Sequence, residues 1–94
     1  MRKLPDDWTE IYFRPNWCGD DYCNCHYVNV MCYVESINRT SSLFCTGYYD
    51  YDYMHQIKPE IIEFCQTLGI DISKRVENAD FWDLDKVVIK NEKV

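Results

Sequence analysis

The sequence predicts an α+β fold: a small antiparallel sheet of three to four strands with one main helix, about 58–68, packed on one face. Three observations lead there. From His26 onward the side chains alternate with the period of two that a half-buried strand imposes. Between Pro59 and Gly69 the apolar residues fall on one helical stripe. Ninety-four residues leave room for one modest core, so residues 1–94 read as a single compact domain.

Each element has a local reason. "WTEIYFR" places Ile11 and Phe13 on one side and Tyr12 and Arg14 on the other, a strand that Pro15 is expected to end. "NWCGDDYCNC" reads as a loop, with Gly19 and two aspartates as turn formers. The next strand puts Val28, Val30, Cys32 and Val34 on one face and Tyr27, Asn29, Met31, Tyr33 and Glu35 on the other. "INRTSS" is expected to turn and "LFCTGYY" to return, making 26–49 an antiparallel hairpin. Pro59 suits a first helical position, Glu60 and Glu63 suit the first turn, and Gly69 is a natural stop. Ile61, Ile62, Cys65 and Leu68 then face the valine side of the hairpin. "ADFWDLD" reads as a short helical turn presenting Phe81, Trp82 and Leu84, and "KVVIK" as a last strand that groups Val87 with Ile89.

Composition narrows the function classes. The start, "MRKLPDDWTE", meets Pro5 and two aspartates where a signal peptide needs an apolar run, and no stretch approaches the ~20 apolar residues of a spanning helix. The chain therefore reads as a complete, soluble, cytoplasmic protein, in the host cytoplasm if viral, with the "NRT" sequon at Asn38 unused. In a reducing compartment six cysteines point to metal, catalysis or packing before disulfides. The net charge of −6 argues against direct nucleic-acid binding, which needs clustered Lys and Arg. Between Pro15 and Ile57 the one full positive charge is Arg39, against Asp20, Asp21, Glu35, Asp50 and Asp52.

Two passages carry candidate chemistry. In "WCGDDYCNCHYVNVMCYV" the thiols Cys18, Cys23 and Cys25 gather around a loop beside His26. These four form a tentative zinc ligand set, with His55, Cys45 and Cys65 as other fourth ligands, although no C-x2-C knuckle is present. A catalytic thiol would need a base in reach, and Cys25 and His26 point to opposite faces of a strand. Cys32, Cys45 and Cys65 read as small core residues.

The second passage, "GYYDYDYMH", alternates tyrosines with aspartates, so that an extended chain would show Tyr49, Tyr51 and Tyr53 on one side and Tyr48, Asp50 and Asp52 on the other. Tyrosine gives large contact area at low entropic cost, and carboxylates among aromatics oppose the arginines and lysines that hold phosphates. "DFWDLD" repeats the mixture, with Phe81 and Trp82 between Asp80, Asp83 and Asp85, and the two acidic aromatic patches are expected to form one surface.

The sequence is thus expected to be a small non-enzymatic binding protein. Its acidic, tyrosine-rich surface, comprising Asp20, Asp21, Tyr48, Tyr49, Asp50, Tyr51, Asp52, Tyr53, Trp82 and Asp83, would occlude the basic site of a nucleic-acid-processing protein. A phage or mobile-element inhibitor of a host defence nuclease, of anti-CRISPR or anti-restriction type, fits that description. No cofactor is expected under this reading. A zinc-stabilised interaction module built on the Cys18, Cys23 and Cys25 loop, and a cysteine-dependent enzyme, are the alternatives. Homodimerisation through an exposed strand edge is a further expectation.

Overall fold

A computed structural model describes residues 4–19 and 24–92. Four strands form one antiparallel sheet: β1 (Glu10–Trp17), β2 (His26–Val34), β3 (Arg39–Cys45) and β4 (Val88–Lys90), in the spatial order β3-β2-β1-β4. Helix α1 (Ile57–Thr67) and the short α2 (Ser73–Glu77) follow β3, and 3-10 turns occupy Tyr51–Gln56 and Trp82–Lys86. The small α+β fold with one main helix is the architecture that the alternation and the stripe call for.

One face of the sheet carries the core. Ile11 opposes Cys32 and Phe13 opposes Val30 across β1 and β2, so these four side chains project together. Val28, Val30 and Cys32 are fully buried, and Val34 nearly so. Ile57, Ile61 and Cys65 of α1, Ile72 and Val76 around α2, and Leu84 and Val87 complete the cluster. Each fully buried aliphatic side chain contributes roughly 1.5–3 kcal/mol, which is what fixes α1 over β2 and β3. Phe44 of β3 and Phe64 of α1 stack at 4.6 Å between ring centroids. At the other side the turn Trp82–Lys86 packs on β1. Among the described residues no helix is long and apolar enough to cross a membrane.

Several boundaries differ from the sequence reading. Pro15 does not end β1, which runs on to Trp17. The Cys18 amide donates to the Cys25 carbonyl at 3.1 Å, and the Asn91 amide to the Thr9 carbonyl at 3.0 Å. Bonding therefore alternates: even positions of β1 face β2 and odd positions face β4. Pro15 is odd, and β4 reaches only as far as Tyr12. Its missing N–H falls on an open edge, where it costs no ladder bond.

The reversal after β2 is tighter than "INRTSS". A 3-10 turn at Glu35–Ile37 and a left-handed Asn38, φ 46°, complete it, and β3 starts at Arg39. Asparagine tolerates that region better than most residues. Met31 opposes Ser42 while Val30 opposes Phe44, so Leu43 is an extra residue, a bulge that shifts the alternation. Cys45 consequently shares the outer face with Asn29 and is exposed, against its expected place in the core.

The third strand also stops earlier than Tyr49, and the tyrosine segment is not extended beyond Asp50. Met54 and Ile57 recur at a spacing of three and pack into the core, which draws Tyr51–Gln56 into a 3-10 turn leading directly into α1. Helix α1 therefore begins at Ile57, with Pro59 as its third residue rather than its first. At this position a missing N–H still costs nothing, because the first four amides of a helix have no intrahelical acceptor. Gly69, φ +79°, ends the helix as expected, with the Ile70 amide donating back to the Cys65 carbonyl at 2.9 Å.

Candidate protein-binding surface

The hairpin of β1 and β2 brings Trp17 opposite His26 at its tip. Both belong to the core-facing side of the sheet, where the helical layer thins out and aromatic rings close the end instead. The His26 imidazole, 8% exposed, lies 5.3 Å from the Phe81 ring and 6.1 Å from Trp82, both edge-on, and 6.4 Å from Trp17. Its Nδ1 is 3.1 Å from the Asn24 carbonyl oxygen. Trp17 and Trp82 remain about half exposed, at 51% and 53%.

The backbone of His26 also holds the tyrosine segment. The His26 amide donates to the Tyr49 carbonyl at 2.7 Å, and the Tyr49 amide to the His26 carbonyl at 2.9 Å. The Gly47 amide donates to Glu60 Oε1 at 3.1 Å, tying the same loop to α1. A Cβ at Gly47 would lie 3.1 Å from the Tyr49 hydroxyl, so a larger residue there would oblige the Tyr49 ring to shift by a few tenths of an ångström. Hydrogen bonding to Glu60 is the largest cause that lifts the Tyr49 phenol above its ordinary range.

The candidate residues separate by role. Tyr49 is partly buried against the core, while Tyr51 is 72% exposed and Tyr53 55%. Tyr48, also exposed, stacks on Tyr27 at 4.3 Å. Asp50 and Asp52 are exposed, and Asp50 Oδ1 lies 3.7 Å from the Cys25 thiol. Asp83 forms an exposed pair with Lys86 at 3.3 Å, worth little in water. Met54 and His55, at the end of the tyrosine turn, share one groove of about 300 Å³ with Asp80 and Phe81. The two acidic aromatic passages are therefore neighbours in space. Asp20 and Asp21 lie outside the described residues.

Of the tentative metal set, Cys18, Cys25 and His26 lie among the described residues. Cys18 and Cys25 are cross-strand neighbours on the outer face, whereas the His26 ring turns to the opposite face among the aromatics. Cys23 lies outside the described residues. Among the described residues no group of three or more His, Cys, Asp or Glu converges as metal ligands do. The same geometry keeps the Cys25 thiol and the His26 ring on opposite faces, as strand alternation requires. His55 lines its groove with Ile57, Lys58 and Leu84 and no cysteine.

Sequence reasoning missed Trp17 as a member of this surface. The signal for Trp17 was present in the hairpin register: once Phe13 faces Val30, position 17 must face His26. Phe81 and Asp80 stand out in "DFWDLD" by composition, but only tertiary packing brings their turn to the hairpin tip.

Fold and surface together define a small sheet-and-helix domain with an acidic, aromatic end. Comparison of the chain with protein-family models, with curated proteins and with solved structures gave no match.

Proposed function

We propose that this protein is a non-enzymatic binding domain whose acidic, aromatic end occupies the basic site of a protein partner that handles nucleic acid. The observation that carries this reading is the junction at His26. Its backbone holds Tyr49, its ring touches Phe81 and Trp82, and two acidic aromatic passages more than thirty positions apart thereby flank one end of the molecule. Asp50 and Asp52 supply charge in place of phosphates, and Tyr51, Tyr53, Trp17 and Trp82 supply faces that stack as bases do. Steering between an acidic domain and a basic site speeds the encounter and weakens with salt. An inhibitor of a defence nuclease, carried by a phage or mobile element, is the biological role that this chemistry suits.

The test is retrieval of a partner from host lysate at low and high salt, followed by competition with heparin. Capture that is lost at high salt, displaced by heparin and weakened by the double change Asp50→Asn and Asp52→Asn supports the reading. Capture indifferent to salt and to both substitutions refutes it.

A further inference from the structure

The two edges of the sheet are unlike. On the β4 side the last strand is three residues long, the turn Trp82–Lys86 packs on β1, and Pro15 offers no donor. On the other side β3 is seven residues long, contains neither Pro nor Lys, and has no strand beyond it among the described residues. An open edge of this length is a template for another strand.

Its backbone groups can be assigned. The Thr46 amide donates to the Val28 carbonyl at 3.0 Å, so Phe44 and Thr46 bond inward to β2 while Cys45 points its amide and carbonyl outward. Below the bulge, Arg39 and Ser41 oppose Val34 and Cys32, even residues of β2 that bond toward β3, so Thr40 points outward. Thr40 and Cys45 both place their side chains on the outer face, and Ser41 and Phe44 both place theirs on the core-facing side.

The two ends of this edge are also complementary. At one end Phe44, Phe64, Glu60, Glu63 and Thr67 line a groove of about 300 Å³, aromatic and acidic. At the other, Pro5, Val34, Ile37, Arg39 and Ser41 line a second groove of about 370 Å³, aliphatic and basic. Ile37 is 63% exposed there, and Arg39 is the one basic side chain of the chain's middle.

We propose that β3 pairs with β3 of a second copy of this chain across a two-fold axis, making one continuous eight-stranded sheet. The antiparallel register sets Thr40 opposite Cys45 of the second copy and Ser41 opposite Phe44. Outward hydrogen-bonding groups then meet outward groups, and each side chain meets one on its own face. The bulge residue Leu43 falls beside the axis, next to Ser42 of the second copy. Arg39 comes opposite Thr46 of the second copy, next to the loop whose Gly47 is bonded to Glu60. An isologous contact joins unlike ends twice, so each Arg39 and Ile37 end covers one Glu60, Glu63, Phe44 and Phe64 end. A parallel arrangement would oppose like charges instead. This interface uses the β3 edge rather than the rings around His26.

Sedimentation across a concentration series, joined to amide hydrogen exchange, tests the proposal. The expected result is a reversible dimer in which the Thr40 and Cys45 amides gain protection as concentration rises. Arg39→Glu and Glu63→Arg, both at exposed positions, should each weaken the dimer at least about tenfold, because like-charge contacts at an interface are strongly unfavourable. An equimolar mixture of the two variants, which sets the two substituted positions against each other at one end and the native Arg39 against the native Glu63 at the other, restores opposite charge at both and should recover more dimer than either alone. A monomer at every concentration, leaving the edge to a segment of another protein, overturns the proposal. A dimer that both variants leave intact, with Thr40 and Cys45 amides still exchanging, overturns it equally.

Discussion

The Thr46 hydroxyl accepts the Val28 amide at 3.0 Å, in the place where a regular ladder would offer the Thr46 carbonyl. The Thr46 amide still donates to the Val28 carbonyl at 3.0 Å, and the hydroxyl donates onward to the Gly47 carbonyl at 3.0 Å. A side chain has replaced one backbone acceptor, which releases the main chain to leave the sheet. That substitution is why β3 ends at Cys45 and why the tyrosine segment can turn toward His26.

Thr46→Val keeps the shape and removes the acceptor. The Val28 amide is then buried without a partner, at a cost of about 1–3 kcal/mol, while Thr46→Ser retains the bond and stays closer to the parent. Urea denaturation followed by far-UV circular dichroism measures both. Equal stability of the valine and serine variants would contradict the role assigned to the hydroxyl.

Gly69 adopts φ +79° at the end of α1, with open space where a Cβ would sit. Gly69→Ala therefore meets no clash and reports backbone strain alone. The left-handed region costs an L-residue roughly 1–2 kcal/mol, which thermal melts should register as a lowered midpoint without a change in secondary structure.

Ile61 is fully buried in the centre of α1, where it meets the β2 face. Ile61→Ala should destabilise the domain by about 2–5 kcal/mol, whereas Glu63→Ala, on the exposed side of the same helix, should change stability by no more than about 0.5 kcal/mol. Chemical denaturation of the pair separates core packing from helix propensity.

Burial pushes the Cys65 thiol from its ordinary value near 9.0 up to about 11. Because the folded value is the higher one, the stability that it contributes is fully present below pH 9.0 and is lost as pH rises toward about 11. The Tyr49 phenol, lifted chiefly by its bond to Glu60, acts in the same direction above its ordinary range near 10.0. Stability should therefore fall on an alkaline limb, shallower in Tyr49→Phe. At neutral pH, iodoacetamide should modify Cys65 and the equally buried Cys32 only on unfolding. Rapid alkylation of either in the native protein would contradict this burial.

What could be read from sequence was whatever a single period encodes. The alternation of Val28, Val30 and Cys32 and the stripe of Ile61 and Cys65 report one-sided burial, and burial put them together. The tyrosine segment misled because its alternation is between two kinds of exposed residue, which no core enforces; Met54 and Ile57 decided its conformation. Cys45 misled because a bulge at Leu43 breaks parity without any local sign. Helix α2 was missed, although Asp71 marks its start: its carboxylate accepts the Ser73 amide at 3.0 Å and the Ser73 hydroxyl at 2.7 Å. Those bonds also hold the Asp71 carboxyl below the usual range. At the binding surface, Tyr51, Asp52 and Trp82 stood out by composition, but their relation to Trp17 and Phe81 depends on long-range packing at the hairpin tip.

β1 and β4 join positions some eighty residues apart, with the Asn91 amide on the Thr9 carbonyl and the Asn91 side chain on the Trp8 carbonyl at 2.8 Å. The β1–β2–β3 meander needs only neighbouring segments and can assemble as soon as they leave the ribosome. The β4 pairing cannot, because Val88–Lys90 must be made first. Until then the Ile11 and Phe13 flank of the sheet lacks Val87 and Ile89, so synthesis itself leaves a sticky, unfinished edge that only the arrival of β4 can close.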